Sequence, residues 1–363
     1  MNRIFQIYIV PAAVFISVIM GGGYGTGREV VEFFTRYGLL GGMLGICVAS
    51  CVFSFVLVCT YEFARVFKVY DYKSFFAELI GPFWVLFEIL YILLFFLVLG
   101  VVGSAAGNIL SEEFSISSLL GMAGVLFLVV MLVYMGRDAV EKVLTFWSFA
   151  MYAVFLAYFI EVLNSTDDNI FNVVMQGSID PGWFAGGAMY AMYNLAIAPA
   201  LLFSTRAIES RSQAVKAGCI SGLVVMVPAL LFHMSYAVGY PEILDQSVPN
   251  YWMMSNFTSP LLLAIFLVAL LGTLVETGAG LVQGLIERVQ NVLHPDSEKE
   301  LGHTARIVIA VITLSLGGLL STLGIIGLIA KGYSALSIGF AVTYIIPICT
   351  LGIIKIVRKT KSL

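Results

Sequence analysis

Charge is what this chain lacks most. Lys and Arg number 19 and Asp and Glu 22 among 363 residues, 11% in all, against about 25% in a soluble globular domain. With 60% hydrophobic residues and a mean hydropathy of +0.99, the composition excludes a soluble fold and implies an integral membrane protein. Histidine is scarcer still, with 3 copies, and no His/Cys/Asp cluster has metal-binding spacing. HExxH, a nucleophile elbow and a P-loop lysine motif are all missing, so an enzyme is not expected. Cys47, Cys51, Cys59, Cys219 and Cys349 lack CxxC spacing and read as small buried hydrophobes rather than disulfide or metal partners. No basic cluster with interleaved aromatics occurs, which sets nucleic acid aside, and the net charge of −3 implies little about partners.

What the chain has is long apolar runs. Stretches of about 20 residues place spans near 4–36 (broken), 38–64, 76–109, 117–135, 140–163, 183–205, 215–239, 259–287, 305–326 and 328–356, ten transmembrane helices in an all-α integral membrane protein. Cytoplasmic loops carry most Lys and Arg in membrane proteins. With the N-terminus inside, 16 of the 19 fall on one side and only Arg28, Arg36 and Lys331 elsewhere. The opposite loops hold Glu112, Glu113, Asp167, Asp168, Glu242 and Asp245. A multi-pass protein of a bacterial inner membrane with both termini cytoplasmic is expected. The first segment has no small-residue cleavage site before its glycines and is expected to remain as helix one. The loops near 164–182, 240–258 and 288–304 are too short for a soluble domain. The 241–260 connection, with Tyr251 and Trp252, is a candidate cover for an outer vestibule.

The first span is broken at Gly21-Gly22-Gly23-Tyr24-Gly25-Thr26-Gly27-Arg28-Glu29, five glycines in seven residues, each costing about 1 kcal/mol against alanine in a helix. Unwound backbone at membrane depth is tolerated only against protein or a water-filled cavity, so the break points to a binding site. The sixth span carries the second interruption: in Tyr190-Ala191-Met192-Tyr193-Asn194-Leu195-Ala196-Ile197-Ala198-Pro199, Pro199 lacks an amide donor and clashes with the carbonyl of Leu195. Interruptions at corresponding positions of two five-helix halves are a hallmark of inverted-repeat transporters.

The run Gly-Gly-Gly-Tyr-Gly-Thr-Gly-Arg-Glu-Val-Val-Glu-Phe-Phe, from Gly21 to Phe34, resembles the first-span signature of the YkvI-type bacterial membrane proteins, relatives of LeuT-fold transporters in the amino acid–polyamine–organocation (APC) superfamily. The resemblance implies a LeuT-like 5+5 inverted repeat, with repeat one about 4–163 and repeat two about 183–356. Helices one and six would be discontinuous around a substrate, with spans three and eight completing the pocket. It identifies no substrate.

From the residues, the half-helix near 27–34 directs its free amides toward the midplane, which suits a carboxylate, while carbonyls from Met20 to Gly23 suit a cation such as Na⁺. Gly21, Gly22, Gly23, Tyr24, Gly25, Thr26, Gly27, Tyr193, Asn194 and Pro199 are therefore substrate candidates. Thr26-x-x-Glu29 fits a capping box, and Arg28/Glu32 and Glu32/Arg36 are i,i+4 pairs, giving Arg28 and Glu32 a structural or gating reading and Glu29 little contact with substrate. Isolated intramembrane carboxylates cost several kcal/mol unless paired, hydrated or protonated. Glu88, followed on its face by Tyr91 and Phe95, is a substrate candidate. Glu276, on one face with Thr273 and Thr277, is a candidate for ion or proton coupling. The adjacent hydroxyl pair of LeuT-fold sodium sites is absent, so Na⁺ and H⁺ both stay open. His233 reads as a satisfied polar residue, and Lys331 as snorkelling or paired at an outer gate. Gly41, Gly42, Gly45, Gly280 and Gly284 read as helix packing. The expectation is a Na⁺- or H⁺-coupled secondary transporter of a small polar organic solute, an amino acid or related amine. A nutrient-sensing receptor on the same fold is the alternative.

Overall fold

A computed structural model describes residues 3–20, 22–135, 137–293 and 302–361, with backbone alone at 17, 20, 22, 137–150 and 291–293. Gly21 and Lys299 lie outside the described residues, as do the side chains of Met20, Arg137 and Lys142. Every element among the described residues is helical. The first segment is split into α1 (Val10–Met20), α2 (Gly22–Thr26) and α3 (Arg28–Phe33), followed by α4 (Leu39–Phe67), α5 (Tyr72–Ile80) and α6 (Trp84–Phe114). Then come α7 (Ser118–Tyr134), α8 (Arg137–Asn164), the short α9 (Ile170–Met175), α10 (Trp183–Leu195) and a 3₁₀ helix over Ala198–Thr205. The chain closes with α11 (Arg211–Val224), α12 (Val227–Tyr236), α13 (Pro249–Phe257), α14 (Pro260–Leu293), α15 (His303–Ser321) and a last helix over Ile325–Lys361.

Among the described residues, 6 helices are long and apolar enough to cross a membrane, or 7 if α10 and Ala198–Thr205, bent by 62°, are one span. Shorter apolar helices over Phe5–Ile16, Ser118–Tyr134 and Met151–Asn164 occupy the places of the expected first, fourth and fifth spans. Leu119, Leu120, Phe127, Leu261, Val268 and Leu319 are 62% to 72% exposed on the outer surface. Water would penalise such a surface and acyl chains would not, so this is a multi-pass membrane protein.

The interior is sealed by aromatic packing. Tyr24, Tyr158, Tyr190, Tyr236, Tyr333 and Tyr344 are fully buried, and several hydroxyls find partners, as with Tyr158 to Ser235 at 2.7 Å and Tyr344 to Thr60 at 2.7 Å. Backbone approach between α4 and α11 depends on small residues: a Cβ on Gly218 would fall 2.6 Å from the Val58 amide nitrogen, which has nowhere to move. Gly218→Val is accordingly expected to lose about 1–3 kcal/mol or more of stability, read as a fall in the thermal unfolding midpoint of purified protein. Gly284→Ala, where an added Cβ meets nothing within 4 Å, serves as the silent control.

Several sequence expectations shift. The third span runs longer than 76–109, over Tyr72–Phe114, with a 3₁₀ turn at Gly81–Phe83 between α5 and α6. The packing reading of the glycines fits Gly42 and Gly45, whereas Gly280 lines a cavity and a Cβ added at Gly284 would meet nothing within 4 Å. Cys47 and Cys51 are exposed on α4, while Cys59 is buried as expected.

Candidate functional site

The first break is held by Gly27. Its φ of +76 lies in the left-handed region that glycine enters without a Cβ penalty, and a Cβ there would come within 2.7 Å of Asn250 Oδ1. Gly27 is thus the N-cap of α3, and Glu29 occupies the second helical position. A capping box needs the carboxylate at the third, so the box read from Thr26-x-x-Glu29 does not form. Instead the Arg28 amide donates to Thr26 Oγ1 at 3.4 Å. The carbonyls around the break are met by a residue that the sequence did not single out: Asn250 Nδ2 on α13 donates to Tyr24 O at 2.8 Å and Gly25 O at 3.2 Å. The Tyr236 hydroxyl donates in turn to Asn250 Oδ1 at 2.6 Å. The 241–260 connection is thereby laid against the break.

Three acidic and basic residues on α3 divide their roles by helical spacing. Glu32 accepts from Arg28 at 2.9 Å and also pairs with Arg36, one turn to either side. Arg28 Nη1 donates to Leu244 O at 2.7 Å and to Gln246 O at 3.0 Å, which ties α3 to the same connection. Glu29 is left with no guanidinium. Its carboxylate lies over Gly23, where an added Cβ would meet Oε2 at 2.7 Å, and accepts from the Tyr193 hydroxyl of α10. It is 4% exposed, and no lysine, arginine or histidine among the described residues bridges it. The Tyr193 ring is fixed by Tyr333 and Phe33, with centroids at 4.7 Å and 5.5 Å.

Glu29 and Tyr193 form part of the wall of a cavity of about 940 Å³ that runs between the two breaks. Of the expected residues, Gly23, Tyr91, Tyr193, Asn194, Glu276 and Thr277 line it. Glu29, Tyr152 and Tyr333 join them without having been expected to. Their sequence signals were a carboxylate lacking an i±4 base and tyrosines inside apolar spans. The cavity's long wall is α1, from Ala12 to Ile19, so the space extends from the breaks toward the N-terminal end of the first segment.

Other candidates lie elsewhere. Tyr24 is buried with its hydroxyl donating to Val225 O at 3.1 Å, and Gly25, Thr26, Gly27 and Pro199 do not reach the cavity. Glu88 is withdrawn from it by Arg288, which pairs with it and rests its guanidinium 4.6 Å from the Tyr91 ring centroid. That partner stands two hundred residues away, beyond the reach of local sequence reasoning. Thr273 is buried behind the wall with its hydroxyl unpartnered. Lys331 is exposed in a π-helical stretch. His233 is satisfied: its Nε2 faces Leu39 O at 2.7 Å and its Nδ1 faces Thr35 Oγ1 at 3.0 Å.

No protein-family model matches the sequence. The chain is 24% identical over 314 residues to the uncharacterized membrane protein YkvI of Bacillus subtilis (strain 168), covering 84% of this chain and 87% of that protein. The chain is a relative of YkvI. The likeness to YkvI thus extends far beyond the glycine motif. In three dimensions the chain matches a manganese transporter of Eremococcus coleocola with a TM-score of 0.56 at 18% identity, over 95% of this chain and 78% of that one. It also matches a Na⁺-coupled sialic acid symporter with a TM-score of 0.50 at 10% identity, over 94% and 86%. At these identities the shared property is the fold.

Proposed function

We propose that this YkvI relative is a secondary transporter for a small polar organic solute, an amino acid or related amine, working by alternating access in a bacterial inner membrane. The observation that carries this reading is the Tyr193–Glu29 hydrogen bond, which links one broken helix to the other across the wall of a single cavity. Broken helices facing one cavity at membrane depth are the arrangement that alternating access uses. In this reading ten spans form two inverted repeats, about 4–163 and 183–356, with both termini in the cytoplasm. The cavity then opens inward, and the Arg28 and Asn250 contacts to the 241–260 connection close the outer side. Rocking one repeat against the other would release those contacts and expose Glu29 outward.

The neighbours' solutes do not transfer at this sequence distance; the largely aliphatic and aromatic lining favours an organic solute over a metal ion. For coupling, Glu276 and Thr277 in the wall and the unpartnered Thr273 hydroxyl behind it are oxygen donors on one face of α14 that suit Na⁺. A carboxyl at Glu276 could equally carry H⁺.

Transport is tested in proteoliposomes by accumulation of labelled solute against its gradient, under an imposed Na⁺ or H⁺ gradient. Binding without flux would replace the transporter by a sensor. Glu276→Gln is expected to retain solute exchange at equal concentrations and lose gradient-driven accumulation; unchanged pH and sodium dependence would remove Glu276 from coupling.

A further inference from the structure

We infer that the cavity is built for an organic cation: an amine or quaternary ammonium with an apolar body and no carboxylate of its own. This rests on the cavity being a solute site and narrows what the solute can be.

The charged side chains that line the cavity among the described residues are Glu29 and Glu276, both acids. The bases nearest in sequence to Glu29 are turned away, since Arg28 and Arg36 converge on Glu32 and Arg28 also holds two loop carbonyls. A zwitterionic amino acid would need a donor for its carboxylate, and the natural place is beside the glycine break. That place is filled. Glu29 itself lies on Gly23, close enough that a methyl group on the glycine would collide with both carboxylate oxygens, at 2.7 Å and 2.9 Å. A second carboxylate brought there would meet like charge in a largely apolar site, an arrangement that costs affinity steeply.

The same geometry asks for a donor. An ionised carboxylate offers about four acceptor positions, and Glu29 uses one of them on Tyr193. An ammonium N–H fills another and neutralises the charge. The rings around it suit a cation as well: Tyr193 and Tyr333 stand with centroids 4.7 Å apart at the carboxylate's end of the cavity. Tyr91 shows that a ring in this wall accepts positive charge, since it already carries the Arg288 guanidinium. The remaining surface, including Ile16, Ile19, Leu94 and Val98, is aliphatic and fits an apolar body. A divalent metal fits this lining less well, because it needs several oxygen ligands at once. Among the described residues no three His, Cys, Asp or Glu side chains meet at one point.

The test uses the purified full-length protein and matched probes: isoamylamine against leucine, phenethylamine against phenylalanine, tetraethylammonium, and MnCl₂. Thermal shift and calorimetry read binding. The amines and tetraethylammonium are expected to raise the unfolding temperature, with each amine bound roughly tenfold or more tightly than its amino acid. Equal or tighter binding of the amino acids overturns the inference, as does stabilisation by Mn²⁺ alone, or failure of every amine to bind at millimolar concentration. Flux separates this from the transport reading. Amine binding without uptake into proteoliposomes defeats transport and leaves the cation site; amino acid uptake without amine binding does the reverse.

Discussion

Glu29→Gln is expected to lower affinity for the bound solute by about a hundredfold while leaving the protein folded. Truncating one member of a buried, hydrogen-bonded charge pair costs a binding site about 2–5 kcal/mol, and each 1.4 kcal/mol is a factor of ten. Glutamine keeps the shape over Gly23 and still accepts from Tyr193, so the packing that fixes the break is retained. The check is a pair of measurements on one preparation: calorimetry for solute affinity, and thermal unfolding without solute. Affinity within a few fold of wild type would remove Glu29 from the site. A collapse of the unfolding temperature would make it a structural residue instead.

Glu32→Gln, one turn along the same helix, is expected to show the opposite pattern. It joins a guanidinium that is 4% exposed to a second, more accessible one, and its removal leaves Arg28 buried without a counter-charge. Such a break costs about 3–5 kcal/mol. Arg36→Gln is the internal comparison, because the Arg36 side chain is 47% exposed and its loss should cost under about 1 kcal/mol. Thermal unfolding of the two variants ranks them directly. Equal losses would mean that burial of Arg28 does not govern the stability of this corner, and that the loop carbonyls at Leu244 and Gln246 satisfy its charge unaided.

Both predictions show what sequence could and could not deliver. The break in the first span was legible because a cluster of glycines is expensive in a helix and unwound backbone survives at membrane depth only against protein or a cavity. The Arg28–Glu32–Arg36 ladder was legible from i,i+4 spacing alone. The same arithmetic leaves Glu29 without a base, yet the capping-box pattern around Thr26 competed with it. Only the positive φ of Gly27, which moves the helix start by one residue, decides between the two. Glu88 failed in the other direction: locally it is an isolated acid in an apolar span, and its partner Arg288 comes from a distant helix. Asn250 gave no signal, since a single asparagine in a polar connection is unexceptional until it is seen against two carbonyls of the break. Local rules therefore recovered the all-helical membrane character and the interruption, and long-range pairing decided which polar groups line the cavity.

Asn250 and the carbonyls that hold Arg28 belong to a connection rather than to a span. In the proposed topology the backbone at the first break is thus gripped from the aqueous side, by a segment that a reagent could reach without entering the hydrocarbon. If the proposed transport cycle holds, a membrane-impermeant binder that pinned residues 240–258 would hold the break shut and arrest it remotely. One that pulled them away would free Gly27 to turn. In the proposed topology, the handle on the intramembrane break would lie in water.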